Sequence, residues 1–442
     1  METAFKERYG GKDMTARLAM VIAALFFAAC TSESTPLQNG APAPGQEVAS
    51  SLSRDTSPDT TAEELARLAA DNAAFGWKLY SEIVKDGENL FFSPHSISVA
   101  LAMTWAGARG NTETEMADAL RFSLGQGRLH PAFNALDLEL ASRAEAGGAN
   151  PPLPFRLNVT NALFGQRDFT FLEPFLDTLA VHYGAGLRLM DFINEAEQSR
   201  VAINAWVADK TEDRIKELIA QGIINAATRL VLVNAIYFTA SWAEPFDEAN
   251  TRSDAFTLLD GTDISTPTMH GNAAMVYADG PNYEAAEVPY DGQQLAMLLI
   301  VPDEGQFAAV ESALSASTVA QIRDELTMHQ VEFALPKFSF RSLVPAKEPL
   351  RSLGMVDAFG GAADLSGMNG TGGLFIQDVV HQGFIAVDEE GTEAAAATAV
   401  IVGETSAPPA ASLTVDRPFM FAIIDRPTGA TLFLGRVVDP SK

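Results

Sequence analysis

The pattern of apolar and polar residues changes at Thr61, and the folded part of the chain is predicted to begin there. The stretch 61-TAEE-64 has the form of a capping box, in which Thr61 and Glu64 close the first turn of a helix. Apolar residues follow at helical spacing, at Leu65, Leu68, Phe75, Leu79 and Ile83. This spacing predicts a long helix with one buried face.

Helical patterns dominate the first half of the chain and strand-like patterns the second. Helices are predicted over 96–106 and 197–220. Runs of β-branched and aromatic residues predict strands at 229–238, 295–301, 331–340, 374–387, 419–425 and 430–438. Long helices together with many non-alternating strands indicate an α+β protein with large sheets. We find no linker or internal repeat in the roughly 380 residues after Thr61, which is long for one domain. Either a boundary is hidden or the chain forms one large sheet-centred unit.

The residues before Thr61 have the character of an export signal and a tether. Residues 14–30, MTARLAMVIAALFFAAC, run from a basic residue through a short apolar core to Cys30, which predicts a signal peptide over 1–29. The last four letters, FAAC, resemble the lipobox of bacterial lipoproteins, in which Cys30 would carry the lipid. The alternative is an ordinary secretory signal with an incidental cysteine. Residues 30–60, rich in Ser, Thr, Pro and Gly, are predicted to form a flexible tether.

This N-terminus predicts an exported protein that faces the periplasm or the extracellular space and is anchored to a membrane by lipid. Residues 1–13 are polar and charged and fit no signal, so the start of translation is either Met1 or Met14. The membrane leaflet that would hold the lipid is left open.

The charge balance excludes some classes of partner. The chain has 57 acidic and 30 basic side chains, a formal net charge of −27. Such a chain is not expected to bind nucleic acid or to carry a polybasic membrane patch. Cys30 is the single cysteine, so no intrachain disulfide can form.

A search for catalytic motifs finds little. No two of the six histidines have metal-ligand spacing, and the chain has no phosphate-binding loop and no nucleophile elbow. Ser93 and His95 are separated by a proline and are expected to be structural. No metal, cofactor or catalytic residue is predicted. A secreted hydrolase with Ser93 or Ser406 as nucleophile stays as an alternative, because dispersed triads leave no local pattern.

The stretch 388-DEEGTEAAAATAVIVGETSAPP-409 is the most ambiguous part of the sequence. Its alanines favour a helix, so an exposed helix over 390–401 is one interpretation. As a strand, its alternate side chains would divide between two faces. One face would carry Thr392, Ala394, Ala396, Thr398, Val400 and Val402, all small or β-branched and uncharged. The other would leave Glu393 in water. No proline falls between 391 and 405, so each residue there can donate to a β-ladder.

Four segments resemble the serpin family of serine protease inhibitors, and they occur in the family's order. They are 89-NLFFSPHSISVALAMTWAGARGNTETEM-116, 234-NAIYFTASWAEPF-246, 381-HQGFIAVDEEGTEAAAATA-399 and 418-PFMFAIIDRPTGATLFLGRVVDP-440. The resemblance implies a serpin domain over 61–442, with three β-sheets, about nine helices and an exposed C-terminal reactive loop at about 389–412. It also implies a suicide substrate: a protease cleaves the loop, and the cut loop inserts into the main sheet before the acyl-enzyme is hydrolysed.

The resemblance assigns roles to individual residues. It implies a reactive bond between Thr405 and Ser406, or a cut after Val402 or Glu404. The polar cluster under the main sheet, called the shutter, and the site where insertion starts, called the breach, would comprise Ser93, Ser96, Asn234, His381 and Trp242. The insertion hinge would comprise Glu390, Gly391, Thr392, Glu393, Ala394, Ala395, Ala396, Ala397 and Thr398.

The resemblance also indicates partners. Thr405 in the primary pocket favours elastase-like or subtilisin-like serine proteases over trypsin-like ones, with cysteine proteases as a further class. A monomer is expected, and no glycosaminoglycan cofactor, because 116–145 has only scattered arginines. The alternative within the family is a non-inhibitory binding protein, although a hinge free of proline and bulky residues favours inhibition.

Overall fold

The computed structural model describes residues 45–143, 156–392 and 408–442. Within these ranges lie ten α-helices, which we number in chain order. They are α1 (Ala62–Ile83), α2 (Pro94–Trp105), α3 (Gly110–Leu120), α4 (Gln126–Ser142), α5 (Glu173–Tyr183), α6 (Ala196–Lys210), α7 (Phe307–Ala313), α8 (Ala316–Glu325), α9 (Lys347–Ser352) and α10 (Ser366–Asn369).

The same ranges contain sixteen strands, also numbered along the chain. They are β1 (Gln46–Val48), β2 (Leu90–Phe92), β3 (Arg156–Gln166), β4 (Leu187–Met190), β5 (Leu230–Ser241), β6 (Arg252–Thr257), β7 (Asp263–Asp279), β8 (Tyr283–Pro289), β9 (Leu295–Pro302), β10 (Thr327–Pro336), β11 (Phe338–Pro345), β12 (Ile376–Val387), β13 (Gly391–Thr392), β14 (Ala410–Thr414), β15 (Phe419–Asp425) and β16 (Thr431–Val437).

Seven strands form the first sheet, in the order β1-β4-β3-β5-β13-β12-β11. Strands β5 and β12 pair directly and in parallel along most of their length. The two-residue strand β13 separates them at one end and runs antiparallel to both. The candidate site lies where β13 enters between β5 and β12.

The second sheet has the order β14-β10-β7-β8-β9-β15-β16-β2, with β6 paired to β7. Its two halves meet only where Val276–Asp279 of β7 pair with Glu284–Glu287 of β8. The described strands thus form two hydrogen-bonded sheets where the resemblance implied three, and the two halves of the second sheet are joined at this junction. The predicted α+β class is confirmed, with ten helices in the described ranges where about nine were expected.

The helix starts follow from local chemistry. At α1 the Thr61 hydroxyl accepts a hydrogen bond from the Glu64 amide, and the Glu64 carboxylate accepts one from the Thr61 amide, as the capping-box sequence predicted. At α2 the Ser93 hydroxyl accepts from the Ser96 amide, and Pro94 occupies the first helical position, where its missing N–H costs nothing. No helix in the described ranges is long and apolar enough to cross a membrane.

Two predicted elements have different bounds in the structure. The helix expected over 197–220 ends at Lys210, because Glu212 and Asp213 adopt positive φ angles of 49° and 62°. The strand expected over 331–340 is two strands, β10 and β11, which belong to different sheets and change over at Lys337. Periodicity alone does not show such a change, since both halves are apolar.

The predicted tether over 30–60 is wrong for its described part, residues 45–60. Strand β1 pairs with β4 at the edge of the first sheet. Farther on, the Arg54 side chain donates to Asn134 at 2.8 Å and pairs with Asp137 at 2.6 Å. A polar composition indicated a free linker, but these polar groups find partners on the folded unit.

Two apolar clusters lie on opposite faces of the first sheet, and β5 contributes to both. Even-numbered residues of β5 such as Ile236 and Phe238 face the main core, whereas Val231, Val233 and Ala235 face a smaller cluster beneath α6. This alternation defines an inner face, toward the main core, and an outer face, toward α6.

Candidate functional site

The hinge begins as a strand that lies between two others. After β12 ends at Val387, the chain turns and Gly391 pairs with Ser241 of β5. Thr392 then pairs with Ala240 of β5 on one side and with Val387 of β12 on the other. Two hinge residues, Gly391 and Thr392, therefore already occupy a central position in the first sheet.

Gly391 is placed where no other residue fits. A β-carbon added to it would overlap the carbonyl oxygen of Ala240 in the neighbouring strand. The turn before it is closed by the Asp388 side chain, which accepts hydrogen bonds from the amides of Glu390 (3.1 Å) and Gly391 (3.3 Å). Glycine thus lets the hinge come close to β5.

The side chain of Thr392 is fully buried on the inner face. Its hydroxyl lies 2.9 Å from the hydroxyl of Tyr290, whose ring stacks on Trp242 at a centroid distance of 4.7 Å. Trp242 in turn donates to the chain around the hinge, through its indole N–H to the Asp388 carbonyl (3.0 Å) and its amide to the Glu390 carbonyl (2.9 Å). Trp242 thus connects the main core to the base of the hinge.

A buried charge fixes the residue next to the hinge. The Glu389 side chain is 7% exposed and accepts from the Lys337 ammonium at 2.5 Å and from the Thr251 hydroxyl at 2.6 Å. Burial opposes ionisation of Glu389, but these two hydrogen bonds outweigh it and hold the pKa of the carboxyl below its usual value. The network connects the hinge to the point at which β10 passes into β11.

A row of three polar side chains crosses the first sheet below the hinge. Asn161 of β3 is paired with Asn234 of β5, which is paired with His381 of β12. The Asn234 amide donates to Asn161, and the Nδ1 of His381 contacts the Asn234 carbonyl oxygen. These bonds hold three adjacent strands in register through side chains as well as backbone.

The start of α2 completes this polar row from the inner face. The Ser93 amide donates to Nε2 of His381 at 3.0 Å, so Nε2 is the acceptor and Nδ1 carries the proton. Asn234 also donates to the Ser96 hydroxyl at 2.5 Å. Burial lowers the pKa of His381 to about 3, so the ring is neutral near pH 7 and suits both contacts.

Ser93 is not placed as a nucleophile. It is fully buried, and its hydroxyl donates to the Leu432 carbonyl at 2.7 Å while it caps α2. His95 makes no hydrogen bond to it in the described part of the chain. The described ranges also contain no cluster of His, Cys, Asp or Glu that could hold a metal ion.

The structure brings together some of the candidate residues, and others lie outside the described ranges. Ser93, Ser96, Asn234 and His381 form one hydrogen-bonded group, whereas Trp242 and Gly391–Thr392 lie at the hinge. The candidates outside the described residues are Cys30, Glu393, Ala394, Ala395, Ala396, Ala397, Thr398, Thr405 and Ser406.

Sequence reasoning missed four residues of this region: Asn161, Thr251, Tyr290 and Lys337. Two of them had a weak signal, since Asn161 is a polar residue in an apolar run and Lys337 interrupts the stretch ALPKFSF. Neither signal names a partner, because Lys337 lies 52 positions from Glu389.

Comparison with known proteins agrees with this architecture. A family model described as "Serpin (serine protease inhibitor)" matches residues 70–440. An uncharacterized serpin-like protein of Methanosarcina acetivorans is 36% identical over 84% of this chain and 86% of its own length. The leukocyte elastase inhibitor of Sus scrofa is 36% identical over 85% of this chain and 100% of its own. The crystal structure of tengpin, a thermophilic serpin in the native state, superposes with a TM-score of 0.78 at 27% identity, covering 90% of this chain and 100% of tengpin. The chain therefore belongs to the serpin family.

Proposed function

We propose that this serpin inhibits serine endopeptidases as a suicide substrate. The protease serine attacks the carbonyl carbon of the residue before the cut, which forms an ester and releases the amine of the following residue. The freed loop then inserts between β5 and β12 and carries the ester-linked protease with it. The observation that carries this proposal is that Thr392 already pairs with both strands and Gly391 with β5.

Insertion is favoured by a change in the ladders of the first sheet. At present β5 and β12 share one parallel ladder, from Leu230 paired with Ile376 to Tyr237 paired with Phe384. Lengthening β13 replaces it with two ladders, both antiparallel, which is the slightly more stable arrangement. With about ten residues gaining roughly 1 kcal/mol each, the gain is on the order of 10 kcal/mol.

The register at Thr392, if continued, supports an insertion along the whole of β5. Each step along the hinge from Thr392 would be one step back along β5 from Ala240 and one step back along β12 from Val387. Continued, this register puts Thr398 opposite both Asn234 and His381. A small hydroxyl side chain would then arrive on the inner face at the polar row, where it can replace the contact between those two side chains.

The same register supports the length of the loop. Val402 would come opposite Leu230, the first residue of β5. Thr405 would lie beyond the end of the sheet, so the bond proposed for cleavage has to travel along the whole of β5. The outer-face residues Ala395, Ala397 and Ala399 are small, which suits a strand that passes the cluster beneath α6.

The proposed target is an elastase-like or subtilisin-like protease cutting between Thr405 and Ser406. A small uncharged residue in the primary pocket supports this class. The similarity to a protein named leukocyte elastase inhibitor also supports it. Cysteine proteases that accept the same side chain are a further class of target.

The decisive experiment is to mix the protein with pancreatic elastase, subtilisin and trypsin and to look for an SDS-stable complex. We expect a covalent band with the first two and a released C-terminal fragment whose mass places its new N-terminus at Ser406. The cleaved protein should also melt above the intact one, because insertion adds a strand. Cleavage that gives neither a covalent band nor a rise in Tm would instead identify a non-inhibitory serpin. A cut outside 400–406 would overturn the assigned bond.

We also propose that the chain is exported and lipidated at Cys30, and that it acts as a monomer without a glycosaminoglycan cofactor. The lipobox-like FAAC supports the lipid anchor, and the net charge of −27 supports the absence of a glycosaminoglycan cofactor. In a bacterial host, labelled palmitate should be incorporated into the wild-type protein and not into Cys30→Ala. Equal labelling of the two would refute the lipid anchor.

A further inference from the structure

A cavity of about 230 Å³ lies between α2, α4, the end of α5 and β3, away from the hinge. One face of α2 supplies His95, Val99 and Met103, which are spaced four residues apart. Helix α4 supplies Phe133 and Asp137. The remaining lining residues are Arg54, Asn161, His182, Tyr183 and Ala185.

The cavity contains a buried polar group without a partner. His95 is 2% exposed, and its Nδ1 makes no hydrogen bond to any described residue. Nδ1 of His182 is in the same situation. Buried polar atoms in folded proteins are nearly always hydrogen-bonded, so such nitrogens beside a cavity indicate a ligand that supplies the bond.

The histidine is uncharged. Burial lowers the pKa of His95 to about 4, and the nearby Asp137 carboxylate only partly offsets this. A neutral imidazole has one nitrogen that donates and one that accepts, so it matches a group that can do both, such as a hydroxyl.

The charges of the lining cancel. Arg54 pairs with Asp137 at 2.6 Å, and its Nε donates to Asn134 at 2.8 Å. An anion would meet the Asp137 carboxylate and a cation would meet the guanidinium. A neutral ligand is therefore favoured over either ion.

The rest of the lining sets the size and character of the ligand. Val99, Met103, Phe133 and Ala185 offer apolar side chains. A dry cavity of about 150 Å³ is known to accept benzene. A volume of about 230 Å³ accommodates one aromatic ring with a polar substituent.

We propose that this cavity is a binding site for a small neutral aromatic alcohol of the phenol class, with its ring against Phe133 and Met103 and its hydroxyl bonded to the His95 imidazole. The site lies away from the hinge and shares Asn161 with the polar row. It is closed in part by Arg54, a residue of the N-terminal segment that packs on the folded unit.

Isothermal titration calorimetry of the whole protein with phenol and with toluene tests the proposal. We expect saturable binding of phenol at one site, and binding of toluene about tenfold weaker, the usual effect of one hydrogen bond. His95→Phe should bring the two affinities to about the same value, whereas His329→Phe, which changes a half-buried histidine on β10 outside the cavity lining, should leave both unchanged.

A second variant tests the position of the site. Val99→Phe fills the cavity and should abolish binding of both probes, with near-UV circular dichroism as the check on folding. If that variant does not fold, phenol soaked into wild-type crystals should appear beside His95. Absence of phenol binding, phenol affinity unchanged by His95→Phe, or phenol located elsewhere would overturn the proposal.

Discussion

The hydroxyl of Thr392 lies 2.9 Å from the hydroxyl of Tyr290, inside the main core. Thr392, at the start of the proposed insertion, is thus already buried. Farther from the hinge, the neighbouring strands β5 and β12 still pair directly with each other. The polar row formed by Asn161, Asn234 and His381 is the next set of side-chain contacts that a lengthening strand would meet. Strands β5 and β12 therefore pair directly at this row, and β13 lies between them only nearer the hinge.

Thr392→Arg should convert the protein from an inhibitor to a substrate. The guanidinium would have to occupy the position beside Tyr290, and burying an unpaired charge costs several kcal/mol. Insertion would slow, so hydrolysis of the acyl-enzyme would compete, and the stoichiometry of inhibition should rise at least tenfold. Titration of subtilisin and the ratio of covalent to cleaved bands on SDS gels measure this. Thr392→Ser, which retains the hydroxyl, is the control, and undiminished inhibition by Thr392→Arg would contradict the mechanism.

Glu389→Gln should loosen the base of the hinge and lower the stability of the intact protein at pH 7. The charged hydrogen bonds to Lys337 and Thr251 weaken, at a cost of about 1 kcal/mol, kept small because the Lys337 side chain is 36% exposed. Since the pKa of Glu389 is held below its ordinary value of 4.5, this stabilisation is present above that pH and is lost as the pH falls below it. In thermal unfolding, the difference in Tm between the wild type and Glu389→Gln should be smaller at pH 3 than at pH 7. A gap of equal size at both pH values would show that the charge is not responsible.

The alternation of side chains along the hinge was the most informative part of the sequence. A strand from Thr392 requires alternate residues to be small and uncharged, and the structure puts the first of them in the core. The capping box at Thr61 was equally predictable from the sequence, because both of its partners lie within four residues. Features whose physical cause is local were therefore predictable.

The network around the hinge was not predictable from one sequence, because its partners are far apart along the chain. Glu389 meets Lys337 and Thr251 only after segments 52 and 138 positions away along the chain have come together. The packing of Arg54 on α4 was hidden for the same reason, since a polar segment gives no sign that a folded surface offers partners. The assignment of Asn234 and His381 to one cluster came from family resemblance, and nothing in their local sequence requires it.

His381→Gln should make the stability of the protein less dependent on pH. The folded state keeps His381 neutral, with its pKa lowered to about 3 from 6.5. Between pH 3 and pH 6.5 the unfolded chain binds a proton that the folded one does not. The free energy of unfolding therefore decreases by up to about 1.4 kcal/mol for each pH unit by which the pH is lowered. Urea unfolding at pH 7, 6 and 5 should show a smaller loss for the variant than for the wild type. His329→Gln, on β10 and outside the polar row, is the control, and a loss for His381→Gln equal to that of the wild type would contradict a buried neutral His381.

Thr405→Arg should redirect inhibition toward trypsin-like proteases. Such enzymes require a basic side chain in the primary pocket, and the resemblance assigns that position to Thr405. Insertion should be unaffected, because the register at Thr392, if continued, would put residue 402 opposite the first residue of β5 and leave 405 beyond the sheet. The rate of covalent complex formation with trypsin should rise at least a hundredfold while that with elastase falls. Val402→Arg is the matched comparison, since the same charge would then fall on the inner face of the inserted strand. If Val402→Arg rather than Thr405→Arg gave a stable complex with trypsin, the reactive bond would lie three residues earlier, and the inserted strand would end level with the first residue of β5.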